Sequence, residues 1–162
     1  MPFNMGKFES SQFKPRTAVV NVPGLKAFFE KGEKTHWTVR NLTANEVGQC
    51  AEMVALNKSE SLQSVLSEIS GGNSESIVIA ALKGIKSAFG GGNVTDDVIR
   101  RMNMMHIASV EPEINYQAVV RIAEYFPEDF YKITNKILAL TQKGAALGEL
   151  KASGATQESE AL

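Results

Sequence analysis

The chain has 162 residues, 43% of them hydrophobic and 22% charged, with a formal net charge of -1 and one cysteine. That length suits one domain with a real core, and the near-neutral charge excludes a global field drawing the chain onto nucleic acid or an anionic membrane. The lone Cys50 excludes an internal disulfide, no stretch approaches the roughly 20 apolar residues of a bilayer span, and the opening Met1-Pro-Phe-Asn-Met-Gly-Lys has no signal-peptide core, so a cytosolic protein is expected.

Residues 1–16, with Phe3, Phe8 and Phe13 among Ser10, Ser11 and Pro15, show no sustained period and read as an N-terminal arm whose order requires a partner or docking onto the body. The β-branched run Thr17 to Val22 and the alternation Thr35/Trp37/Val39 against His36/Thr38/Arg40 predict two short strands, paired as an antiparallel hairpin over 17–40. Pro23-Gly24 breaks the first strand, and Leu25-Lys-Ala-Phe-Phe29 predicts a helical turn in the connection. A two-stranded ribbon is marginal alone and needs cover over Trp37.

From Thr43 the grammar is helical. Thr43-Ala-Asn-Glu46 is a capping box, opening a helix with the stripe Val47, Cys50, Ala51, Val54; a second helix carries Leu62, Val65, Leu66, Ile69 and ends at Gly71-Gly72-Asn73. Ser74 caps a third, apolar nearly all round from Ile77 to Phe89, which is the expected centre of the core. After Gly90-Gly-Gly92, Thr95 with Asp96 and Asp97 starts a fourth helix running toward Val110. Asn115 caps a short helix with the face Tyr116, Val119, Val120, Ala123, and Pro127 with Glu128 and Asp129 opens the last, burying Phe130, Ile133, Ile137 and Leu140. The expected fold is mainly α, a compact bundle of about six short helices (43–143) with a small N-terminal β-hairpin and flexible termini, the last being a tail over 144–162.

Bond-making chemistry finds little support. Cys50 sits on an apolar helix stripe and reads as a buried structural thiol; His106 beside three methionines gives no tetrahedral ligand set; and His36 beside Trp37 reads as structural. Gly90-Gly-Gly92 lacks the lysine and hydroxyl of a phosphate loop, the carboxylate pairs Asp96/Asp97 and Glu128/Asp129 complement helix dipoles, and Arg100, Arg101, Lys132 and Lys136 read as a solvated face. No catalytic set, cofactor or metal site is expected. The surplus apolar side chains Phe8, Phe13, Phe28, Phe29, Met102, Met104 and Met105 are either absorbed by the core, the ordinary place for any single Met, or are candidate partner contacts, because methionine adapts its shape to varied surfaces.

Trp37-Thr-Val-Arg-Asn-Leu-Thr43, Val110-Glu-Pro-Glu113, Phe126-Pro-Glu-Asp-Phe-Tyr-Lys-Ile-Thr-Asn-Lys-Ile-Leu138 and Leu140-Thr-Gln-Lys-Gly144 together resemble the tail assembly chaperones of long-tailed bacteriophages. The resemblance implies a non-enzymatic protein of the host cell cytoplasm during infection that binds and solubilises the tape-measure protein, helps recruit tail tube protein, and leaves before the virion is finished. It further implies homo-oligomers and, in many members, a longer frameshifted form. Two alternatives stand beside it: a minor virion component such as a head–tail or tail-terminator adaptor, and a small helical enzyme or regulator using Cys50 or His106.

Overall fold

The computed structural model describes residues 2–70 and 94–148, and their side chains outside 58–70. The chain is mostly helical with a small antiparallel sheet. An arm comprising α1 (Met5–Ser10) and β1 (Phe13–Lys14) leads into β2 (Thr17–Asn21), a 3-10 turn (Pro23–Phe28) and β3 (His36–Arg40). The long α2 (Ala44–Ser70) follows, then α3 (Asp96–Ala108), β4 (Ser109–Glu111), α4 (Tyr116–Tyr125), α5 (Pro127–Lys143) and β5 (Ala146–Leu147).

The predicted start signals act as their chemistry requires. Thr43 Oγ1 accepts from Glu46 N–H at 3.2 Å while Glu46 Oε2 accepts from Thr43 N–H at 2.9 Å, closing the capping box. Thr95 accepts from Val98 N–H, Asn115 from Ala118 N–H, and Pro127 occupies the first turn of α5, where a missing N–H leaves no bond unmade. At the other end of α5, Gly144 takes a left-handed φ of 72°, which a side chain would oppose.

β2 and β3 pair antiparallel, as expected, in the register Thr17↔Arg40 to Asn21↔His36. The sheet has a third strand that the sequence did not announce. β4 pairs with β3 through Thr38↔Glu111 and Val39↔Ser109, and Trp37 Nε1–H donates to the buried Ser109 Oγ at 2.9 Å. The expected helix toward Val110 therefore stops at Ala108. Trp37 gains both its cover and a partner for its only polar atom.

The inner face of the sheet, with Val20, Trp37 and Val39, lies on α5, which α3 and α4 also cover. Among the described residues α3 is the most enclosed element, with Met102, Asn103, Met104 and Met105 all buried in succession. Such all-round burial marks a helix packed on several sides. The 3-10 turn meets the start of α5, where the buried Asp129 carboxylate lies against Gly24 so closely that a Cβ there would collide with it. Only glycine fits that approach.

Two expectations need correction. The segments carrying Val47 and Leu62 form one helix, α2, because nothing between Val54 and Leu62 is a glycine or proline to break it. Its buried side is also rotated: Cys50 and Met53 are enclosed, whereas Val47 and Ala51 are exposed. The breaker Gly71-Gly72-Asn73, the apolar segment from Ile77 to Phe89 and the turn Gly90-Gly-Gly92 lie outside the described residues.

Arg40 ties three elements together. Its guanidinium grips Glu46 bidentately at 2.9 and 2.8 Å, and donates to the Asn41 and Ile107 carbonyls at 3.0 and 3.1 Å. The hydrogen bond from Arg40, aided by Thr43 and opposed by burial, holds the Glu46 carboxyl below its ordinary range. Glu46→Gln is expected to cost about 1–2 kcal/mol. A depressed folded-state value stabilises the fold above the unfolded value and loses that contribution on acidification. The difference in thermal midpoint between wild type and Glu46→Gln should thus be full above pH 4.5 and narrow as pH falls below it. Gly48 lies inside α2 with open space where a Cβ would stand, so Gly48→Ala is expected to raise stability by about 0.5–1 kcal/mol in denaturant titration.

Candidate interaction surface

The polar side chains nearest to chemistry meet where α2, α3 and α4 join. Tyr116 O–H donates to Asn103 Oδ1, His106 Nδ1 lies 2.8 Å from the Ile114 carbonyl, and the His106 and Tyr116 rings stack at 4.0 Å. Burial pushes the Cys50 thiol up to about 11, with a hydrogen bond from Asn103 pulling the other way, and pushes the Tyr116 phenol up to about 12. A thiol in that state is protonated at neutral pH and a weak nucleophile. Among the described residues no hydrogen bond joins Cys50 to either histidine, and no group of three His, Cys, Asp or Glu converges on a metal-sized site. His106 packs through its ring on Tyr116 and bonds through Nδ1 to the Ile114 carbonyl, tying α3 to the approach to α4.

Arg101 corrects the expected solvated basic face. Its Nε–H donates to Asp97 at 2.8 Å, Nη1 donates to Thr134 at 2.8 Å and Asn135 at 2.7 Å, and the guanidinium lies 4.9 Å over the Tyr131 ring. It fastens α3 to α5. Lys132 remains on the surface opposite Glu128 at 3.7 Å.

The candidate partner contacts divide sharply. Met102, Met104 and Met105 are between 0% and 2% exposed, so of the two places open to them the core takes all three. The enclosing neighbours on three sides, which a residue-by-residue reading cannot supply, decide their place. Phe29 is half-buried against the same core. Phe28 is 72% exposed and stands edge-on to Phe126 at 5.8 Å, beside the exposed Tyr125.

Among the described residues, the arm displays a run of exposed apolar side chains. Phe3, Phe8 and Phe13 form a ladder with ring separations of 5.4 and 5.3 Å, all three are exposed, and Met5 and Leu147 add exposed apolar area. A tilted aromatic stack holds the rings in place without burying them. Its footing is the C-terminal end of α5. β1 pairs with β5 through Phe13↔Leu147 and Lys14↔Ala146, and Gly148 N–H donates to the Gln12 carbonyl at 2.8 Å. Arg16 supplies the anchor: Nε–H donates to the Gly144 carbonyl at 3.1 Å, Nη2 to Ala145 at 3.4 Å, and its own N–H to Asn41 Oδ1 at 2.6 Å. A cation beyond the last turn complements the negative end of α5. The arm is therefore ordered by docking onto the body, and the residues after Gly144 begin as part of that dock.

Comparison of the chain with protein-family models, with curated proteins and with solved structures gives no significant match.

Arg16→Ala is expected to speed amide hydrogen exchange of Gly148 and of the β1–β5 pair severalfold, while Ile133 and Ile137 amides in α5 stay protected. Unchanged exchange at Gly148 would show that the arm is held by other means.

Proposed function

We propose that the protein, folded as a compact helical bundle with a displayed aromatic arm, is a bacteriophage tail assembly chaperone. It binds the tape-measure protein and keeps it soluble before the tail tube forms around it, helps recruit tail tube protein, acts in the host cytoplasm during infection, and is absent from the finished particle. The observation that carries the reading is the exposed ladder Phe3–Phe8–Phe13, supported by Phe28, on a body whose polar clusters serve packing. The sequence resemblance to such chaperones supplies the class of client.

The physics of the task fits that surface. A long, largely helical client with apolar stripes aggregates unless covered, and aromatic side chains give large contact area at a small entropy cost. Several copies acting along one client make individually weak contacts sufficient and still releasable. Self-association belongs to this reading. The methionines have no part in client contact, since reaching them would require opening the core.

Co-expression with the tape-measure protein of the same phage should yield a soluble complex that co-purifies through either partner. Serine at Phe3, Phe8, Phe13 and Phe28 together should reduce capture at least about tenfold, with little change in the melting of the body, whereas Met102→Leu should leave capture unchanged. Absence of co-purification, with no gain in client solubility, would sink the reading.

A further inference from the structure

The three-stranded sheet has two edges, and they differ. β4 is three residues long, its register against β3 shifts between Thr38 and Val39, and Glu111 and Pro112 close it. Short length, irregular register, charge and proline are what keeps an edge from pairing with another chain. β2 has none of these. Thr17-Ala-Val-Val-Asn21 contains no charge and no proline, and its register with β3 is unbroken. Pro15 and Pro23 lie just outside it and delimit the strand.

The hydrogen bonds at the ends of β2 fix which groups face outward. Asn41 N–H donates to the Arg16 carbonyl and Val22 N–H to the Thr35 carbonyl, each at 2.9 Å. In an antiparallel ladder bonded pairs alternate, so Arg16, Ala18, Val20 and Val22 exchange bonds with β3, and the N–H and C=O groups of Thr17, Val19 and Asn21 point away from it. Among the described residues no backbone group pairs with that outward row. All three side chains are exposed, Val19 at 55%.

We infer that β2 is the contact between copies of this chain, pairing antiparallel with the partner's β2 about a two-fold axis at Val19. That axis sets Val19 opposite the partner's Val19 and Thr17 opposite the partner's Asn21, so every outward N–H and C=O meets its complement. Apolar faces apolar, polar faces polar, and no like charges oppose each other across the new pair. An isologous contact of this kind closes at two copies and merges the two sheets into one. The outward face of each β2 gains a cross-strand neighbour, which covers Val19. The inference rests on the self-association included in the proposed function, and it concerns the contact between copies, not the contact with the client.

Sedimentation velocity of the full chain without client, over a concentration series, tests it. The wild type should dimerise. Val19→Pro removes the donor at the two-fold axis but no bond of the β2–β3 ladder, because the Val19 N–H is not used there, and should raise the dimer dissociation constant at least about tenfold. Val19→Lys leaves the backbone intact, sets like charges directly opposite, and should do the same. Fluorescence of Trp37, the sole tryptophan and a buried one, reports whether each variant is folded. A monomeric wild type, variants that dimerise as tightly as wild type, or growth into open-ended polymers would each overturn the edge contact. A wild type that is monomeric yet captures the tape-measure protein overturns this contact alone; a dimer broken by Val19→Pro in a protein that captures no client supports the contact and overturns the chaperone reading.

Discussion

Arg40 holds the frame on which the rest of the structure depends. A strand end, the first turn of α2 and the last turn of α3 converge on its guanidinium, and each presents an acceptor: the Asn41 carbonyl, the Glu46 carboxylate and the Ile107 carbonyl. A planar group with five donors in a fixed fork can satisfy all of them at once, where a lysine would act as a single flexible charge. With those ends fixed, α3 lies between α2, α4 and α5, and the sheet lies on α5. Arg101 repeats the device near the middle of α3, joining it to α5 through Thr134 and Asn135. Two arginines thus set the position of the helix that carries the buried methionines.

The division of apolar residues between inside and outside follows from that frame. The core takes the sheet's inner face, the α3 methionines and the α5 stripe, down to complete burial of Val39, Ile99, Ile133 and Ile137. Among the described residues, the exposed large apolar side chains include the N-terminal group Phe3, Met5, Phe8 and Phe13, beside scattered ones such as Val47, Val110 and Tyr131. An arm of this composition would collapse or wander if left free, yet here Arg16 and the β1–β5 pair hold it against the end of α5 while leaving its rings exposed. Ordered exposure of apolar area is the physical condition for a binding surface, because the entropy of arranging it is lost on folding and not again on association.

Local chemistry was legible in the sequence, and non-local placement was not. The capping box at Thr43 and Glu46, the caps Thr95 and Asn115, and Pro127 opening α5 all appear where they were expected, because each depends on residues within one turn of its own position. The antiparallel pairing of the two strands was legible in the alternation around Trp37, whereas the register, with its long connection, was not. β4 escaped notice because three residues carry no period, and its reason for pairing is the distant Trp37. The α2 stripe was misphased because Val47 and Ala51 fit the helical period as well as Met53 does, and the choice belongs to α3 packing against it. For the surface, the aromatic arm was legible as excess, but its docking was not, since Arg16 acts on the Gly144 carbonyl, far along the chain. For Met102, Met104 and Met105 the sequence leaves core and partner contact both open, and their burial here is decided by neighbours on every side.

The central claim is that the ordered aromatic arm is where another polypeptide is held, while the methionine-bearing helix serves only the core. Amide hydrogen exchange of the protein, free and in complex with the tape-measure protein, tests that most directly. The account predicts added protection over residues 3–14 and at Leu147, with the amides of Met102 to Met105 unchanged. Protection confined to α3 or to the Cys50–Asn103–Tyr116 cluster, with the arm exchanging as in the free protein, would contradict it.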